Sequence, residues 1–324
     1  MHNVTFISNV TTPERAYTNA PGLKDFRVKF FSMSDSTEKI LAEAGDTEFL
    51  IADAMAKIDG GLIGGMKHLR LIQSEGVGYQ GVDLQAARQN GVLVCNNKGI
   101  NDTAVAESAV MLILSCLKDV NGGRKAVYEG RQMAAKKAAF GVVRELSECT
   151  VGLLGFGDIA RETARLLSAF GARVLYANRT RYADLEEQYH AVYVSLPELL
   201  RQSDFVSLHL AVCDDTREMV NEAFLSAMKD SAYLINTARG DLVDNAALLQ
   251  SLLNGTIAGA GLDVISPEPV EKDNLLLDER VRDKLVVMPH TAGITSLAVQ
   301  KVYKNSYENI ISILNGRTPR NVVG

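Results

Sequence analysis

The chain lacks several things that would point away from an ordinary globular protein. Its four cysteines, Cys95, Cys116, Cys149 and Cys213, are scattered through 324 residues. They form no CxxC pair and no metal-type Cys/His spacing, so a disulfide scaffold and a metal module are both excluded, and a reducing, cytoplasmic setting is expected. Positive charge is not in excess: the formal net charge is −5 with pI near 5.6. That argues against nucleic acid or an anionic membrane as a partner. The longest apolar runs, such as "AVMLIL" at 109–114, are far too short to cross a bilayer. "MHNVTFISNV" at the N-terminus has neither the basic stretch nor the long apolar core of a signal peptide. No low-complexity segment and no short repeat appears.

What is present is a regular alternation. "NVTFIS" (3–8), "RVKFF" (27–31), "EFLIA" (48–52), "LRLIQS" (69–74) and "VLVCNN" (92–97) read as short buried strands, with helical segments between them. A long helix is predicted from Asp102 to about Lys118, with Val105, Ala109, Leu112, Ile113 and Cys116 on one face. The polar, basic stretch 123–141 reads as a solvated helix or connector. A second alternating series runs through 150–157, 173–178, 204–210, 231–237, 257–264 and 285–289, and an amphipathic helix at 295–316 closes the chain. Repeated βα units imply α/β architecture: two doubly wound parallel-sheet domains with helices on both faces. The last helix follows the second sheet by a short connection and is expected to cross back to the first. The division expected is 1–99 with 292–324 as one split domain, 100–291 as the other, and a cleft between them.

"VGLLGFGDIARETARLL" sets Gly155-x-Gly157-x-x-Ala160 between a strand and a helix. Gly155 permits a tight turn, Gly157 lets the backbone approach a pyrophosphate, and Ala160 lets the helix sit close to the sheet. The amides from Phe156 through Gly157 and Asp158 to Ile159 then face the diphosphate of a dinucleotide from a helix N-terminus. In "VLYANRT" the next strand ends in neutral Asn178 rather than an acid, followed by Arg179 and Thr180. An acid there would accept both ribose hydroxyls and repel a 2′-phosphate. Asn178 does not repel it, and Arg179, helped by Thr180 and Arg181, can meet it. NADP(H) is therefore the favoured cofactor, with NAD(H) also able to bind.

Three polar residues follow late strands of the second series. Arg239 stands in "LINTARGDLVD", Glu268 in "GAGLDVISPEP" and His290 in "VVMPHTAGI". In a parallel sheet all three gather at one edge. An arginine can hold a carboxylate by two parallel bonds and polarise a neighbouring carbonyl. A histidine can exchange the proton that accompanies hydride transfer, and a glutamate beside it favours the imidazolium.

These three stretches, in this order and spacing, resemble the D-isomer-specific 2-hydroxyacid dehydrogenase family, which includes glyoxylate/hydroxypyruvate reductases. The similarity covers nearly the whole chain, with support from "GVGYQGVDLQAA", "NDTAVAES" and "DFVSLHLAVCDDT". The resemblance implies a flavodoxin-like substrate domain and a Rossmann cofactor domain, and NAD(P)-dependent reduction of a small 2-keto acid to a D-2-hydroxy acid. It implies Arg239 as substrate binder, His290 as acid/base and Glu268 as its support. Backbone amides at Val77 and Gly78 would hold the substrate carboxylate. Asp263 would hold the nicotinamide carboxamide, with Thr237, Ala238 and Arg239 along the ring and Val105 near it. His209, Ala211, Thr216, His290, Ala292 and Gly293 would complete the cofactor contacts. A homodimer through the cofactor domain is also implied, with the helix from Asp102 as the contact.

The chain departs from the family pattern at Gln80, often Asp, at Glu107-Ser108, commonly Glu-His, and in having no tryptophan. A different class of protein shares the fold: dinucleotide-sensing corepressors, which keep the cofactor site. The charge of −5 and the absence of a long recruiting tail favour the enzyme.

Overall fold

Short runs rich in Val, Ile, Leu and Phe form strands buried on both faces, as parallel sheets between helices require. In the computed structural model, which describes residues 1–323, the strands are β1 (Asn3–Ile7), β2 (Arg27–Phe31), β3 (Phe49–Ala52), β4 (Leu71–Ser74), β5 (Leu93–Cys95), β6 (Thr150–Leu154), β7 (Arg173–Ala177), β8 (Ala191–Tyr193), β9 (Phe205–Leu208), β10 (Tyr233–Asn236), β11 (Gly259–Leu262), β12 (Leu285–Val287) and β13 (Val322–Val323). They make two sheets, ordered β13-β5-β4-β3-β1-β2 and β12-β11-β10-β9-β6-β7-β8. The chain divides accordingly into two units. One is Met1–Asn101 joined by the C-terminal segment from Ile294; the other is Asp102–Gly293.

In the first unit every strand pairing is parallel except β13 on β5. Phe6, Phe49, Leu50, Ile51, Leu71 and Ile72 fill the core on the two faces of this sheet. The closing helix, Ser296–Leu314, packs Tyr303, Ile310 and Ile313 into one of those faces. Thr295 caps it, its side chain accepting from the Ala298 amide.

The second unit is wholly parallel. β6 starts at the centre; β7 and β8 run out to one side, and β9 to β12 to the other. The switch point lies between β6 and β9, where such sheets bind ligands beyond the carboxyl ends of the strands. Register aligns those ends: Leu154 pairs with Leu208, Asn236 with Leu208 and Leu262, and Leu262 with Val287. The helix Asp102–Leu117 packs against β10 and β11 so closely that a side chain at Gly261 would lie 3.0 Å from Leu112.

Two strands lie outside the expectations from sequence. β8 and β13 have three and two residues, too few to show periodicity. The polar stretch after the long helix forms two helices, Val120–Tyr128 and Gln132–Ala139, separated near Gly130, whose φ is 70°. Nearly all of it is exposed, as a solvated segment should be, but the exposed side chains include the large apolar Tyr128, Met133 and Phe140, 71–87% exposed.

Candidate active site

Gly155 sits at the switch point with φ 98°, and a Cβ there would lie 2.5 Å from the His209 carbonyl oxygen. Only glycine fits so strained and close a position. Gly157 is the opposite case: a Cβ would meet nothing within 4 Å, so its missing side chain leaves open space at the N-terminus of the helix Asp158–Ala169. No side-chain hydrogen bond caps that helix, which leaves its first amides without an intrahelical or capping acceptor. Ala160 is fully buried against the sheet. A turn pressed on its neighbour, an open cradle and uncapped amides fit a diphosphate.

Beyond β7, Asn178 donates through Nδ2 to the Thr180 carbonyl at 2.9 Å, which fixes the turn. Arg179 is exposed and has no acidic partner among the described residues. Arg181 is different. It makes a two-pronged pair with Glu186, Nε to Oε1 at 2.7 Å and Nη2 to Oε2 at 2.8 Å. This pairing competes with the help that Arg181 is expected to give Arg179: its guanidinium is held by a carboxylate five residues on.

After β10, the Asn236 side chain holds the next turn, donating to the Arg239 carbonyl at 2.8 Å and accepting from the Ala238 amide at 3.0 Å. Thr237 Oγ1 is buried without a partner, a polar atom left for a ligand to satisfy. His209 follows β9, bonds Ser207 Oγ at 3.0 Å through Nε2, and is pushed down to about 4 by burial, so it is a neutral ring. Thr216 closes the loop from Ala211, donating to the Ala211 carbonyl at 2.8 Å and accepting from the Cys213 amide at 2.8 Å. Val105 is buried in the first turn of its helix.

Asp263 is buried at the end of β11 and already engaged. Its Oδ1 accepts from the Thr291 amide at 2.8 Å and its Oδ2 from Ala292 at 3.1 Å; its carbonyl accepts from the His290 amide at 2.8 Å. These bonds clamp residues 290–292 and hold His290 at φ 55°, a left-handed conformation that costs a non-glycine residue about 1–2 kcal/mol.

The three side chains singled out from the sequence, Arg239, Glu268 and His290, come together at this edge. His290 Nδ1 lies 3.0 and 3.1 Å from the two oxygens of Glu268. That bond raises the histidine pKa above its ordinary value, against the opposing effect of burial. Glu268 and Arg239 are brought together by Gly240. A Cβ at Gly240 would lie 2.4 Å from the Ser266 amide nitrogen, so the turn carrying Arg239 rests on the backbone leading to Glu268. Ser266 is fixed in turn by Asp241, Asn245 and Asn274. Arg239 makes one bond, to the neighbouring Ala238 carbonyl at 2.7 Å, and no ion pair within 4 Å among the described residues. Burial presses its guanidinium below the usual range while Glu268 opposes that.

In the first unit, the turn after β4 is held by side chains not anticipated from sequence. Ser74 Oγ donates to the Gly78 carbonyl at 2.6 Å and accepts from the Gly76 amide at 3.2 Å; Asn96 donates to the Val77 carbonyl at 2.8 Å. The Val77 and Gly78 carbonyls are thus tied down, and their amides have no acceptor among the described residues.

A wholly parallel sheet with this glycine turn at its switch point is the architecture of a dinucleotide-binding domain. Residues 110–292 match the D-isomer specific 2-hydroxyacid dehydrogenase, NAD binding domain. The chain is 33% identical over 288 residues to a glyoxylate reductase of Korarchaeum cryptofilum, covering 89% of this chain and 86% of that one. It is 34% identical over 289 residues to a glyoxylate reductase of Pyrococcus furiosus, covering 88% and 85%. Among solved structures it resembles a D-lactate dehydrogenase from Aquifex aeolicus complexed with NAD and lactic acid, with a TM-score of 0.84, 29% identity, and coverage of 97% of this chain and 96% of that one. The chain belongs to the D-isomer-specific 2-hydroxyacid dehydrogenase family. It is an enzyme that uses a nicotinamide dinucleotide to reduce 2-keto acids to D-2-hydroxy acids.

Proposed function

We propose that the protein reduces a small 2-keto acid of the glyoxylate or hydroxypyruvate kind, with NADPH preferred over NADH, and that Arg239, Glu268 and His290 carry the chemistry. The observation that carries this reading is the Glu268 carboxylate 3.0 Å from His290 Nδ1, beside an arginine without an acidic partner. The nicotinamide, when bound, supplies the hydride. Arg239 binds the substrate carboxylate and polarises the carbonyl to be reduced. Glu268 keeps Nδ1 protonated and the ring oriented, which leaves Nε2 to give its proton to the developing alkoxide. In the reverse direction the neutral ring takes that proton back.

The unit bearing the glycine turn serves the cofactor and the other the substrate. In the latter, the Val77 and Gly78 amides hold the carboxylate. Thr237, Ala238 and Val105 lie by the nicotinamide, and Ala211, Thr216, Ala292 and Gly293 add further cofactor contacts. Asp263 combines a carboxamide contact with its clamp on the His290 segment. Arg179 meets the 2′-phosphate, supported by its lack of an acidic partner and by the neutral Asn178. Exposed Tyr128, Met133 and Phe140 support a homodimer through that region. Four free cysteines, three of them buried, fit a cytoplasmic setting.

A panel of 2-keto acids assayed with NADPH and NADH tests the reading. Turnover of glyoxylate or hydroxypyruvate with NADPH favoured about tenfold or more is expected. No turnover of any 2-keto acid would remove it.

A further inference from the structure

The helix that follows the glycine turn carries a cation that none of these roles uses. Arg161 lies four residues after Gly157, on the same face. Helical side chains lean toward the N-terminus, so its guanidinium reaches back toward the turn. Its Cζ lies 4.8 Å from the centroid of the Tyr182 ring and 5.8 Å from that of Phe156. Both rings are fixed. Phe156 stacks on Tyr176 at 3.9 Å, and the Tyr176 hydroxyl accepts from the Tyr182 amide at 2.9 Å while donating to Glu186 at 3.0 Å. Arg161 therefore stands between the turn that faces a diphosphate and the loop that carries Asn178, Arg179 and Thr180.

Its hydrogen bonding is incomplete. Nε is buried with no hydrogen-bond partner, and Nη1 makes an ion pair with Asp158 Oδ1 at 3.6 Å that is too long to be a hydrogen bond. The side chain is only 22% exposed. A buried Nε with no acceptor is destabilising; a leucine or methionine would cover Tyr182 without that cost. An anion at the terminal nitrogens would offset it. The diphosphate has the helix amides, whereas Tyr182 is two residues beyond Thr180, next to where a 2′-phosphate would lie.

We propose that Arg161 is a second binding residue, with Arg179, for the adenosine 2′-phosphate of NADP(H). This rests on the reading that the loop after β7 favours NADPH. Calorimetric titration of the whole protein with 2′,5′-ADP and with 5′-AMP tests it without turnover, since the two ligands differ only in the 2′-phosphate. The wild type should bind 2′,5′-ADP about tenfold tighter or better. Arg161→Met keeps an apolar stem on Tyr182 and removes the cation. It should weaken 2′,5′-ADP by about tenfold and 5′-AMP by less than about threefold, and Arg161→Lys should recover part of the loss. Should the methionine variant fail to fold, Arg161→Gln is titrated in its place with the same expectation. Equal weakening of both ligands, or unchanged 2′,5′-ADP binding, overturns the role of Arg161 and leaves the NADPH reading standing. A wild type that binds the two ligands equally overturns both.

Discussion

Two corners of the second unit treat their charged groups in opposite ways. At the ends of β11 and β12, the polar groups have protein partners: Glu268 holds His290 Nδ1, and Asp263 holds the backbone of residues 290–292. Beyond β6 and β7, Arg179 has no acidic partner among the described residues, and Arg161, though ion-paired with Asp158 at 3.6 Å, keeps a buried Nε without a hydrogen bond. On the proposed function, the difference separates two tasks. A group that moves a proton must be oriented before the substrate arrives, because reorientation during the reaction would cost rate. A group that binds a phosphate is best left with its hydrogen bonds unmade, because the ligand then supplies them.

Arg239 belongs to both corners in character, set by its neighbours yet without an acid. Arg239→Lys keeps the charge and loses the planar fork. We expect kcat/KM to fall by about a hundredfold or more, which is on the order of 3 kcal/mol of transition-state stabilisation, with little change in thermal unfolding. Near-normal kinetics would place Arg239 outside the chemistry. The prewired corner is broken by Asp263→Ala, which strips the acceptors from the Thr291 and Ala292 amides. A loss of about 2–3 kcal/mol in urea unfolding is expected, together with lower kcat. An unchanged denaturation midpoint would show that the clamp is dispensable. The unsatisfied corner is probed by two arginines side by side. Arg179→Ala should raise the KM for NADPH about tenfold and hardly alter that for NADH. Arg181→Ala, which removes a cation already paired with Glu186, should change either by less than about threefold. Similar losses from both would mean that pairing does not take an arginine out of the cofactor site.

Much of the fold was legible because its strands are buried on both faces and read as apolar runs, as "FLIA" of β3 and "TVGLL" of β6 do. β8 and β13 were not, since a strand of two or three residues carries no pattern. At the proposed site, Arg239, Glu268 and His290 stand out in the sequence because each follows a strand of one parallel sheet, and register brings those strand ends level. The bonds that hold them were invisible. That Asp263 grips residues 290–292 depends on a left-handed His290, and no residue type announces that conformation. Ser74 and Asn96 clamp the Val77–Gly78 turn through backbone carbonyls, which have no sequence signature. Arg179, Arg181 and Arg161 look alike in a sequence. Only the position of Glu186 and the stacking on Tyr182 tell them apart.

The central claim is that Glu268 sets the protonation of His290 and that His290 delivers the proton during reduction. The pH profile of kcat/KM for NADPH-dependent reduction, compared between wild type and Glu268→Gln, tests it most directly. Reduction needs the imidazolium. Glu268 raises the histidine pKa above its ordinary 6.5, so activity should persist past that pH and fall as pH rises through the elevated value. Without the carboxylate charge, burial acts unopposed by its largest counterweight, and the falling limb should move to lower pH. A limb that stays where it was, or a rate that rises with pH over this range, would contradict the account.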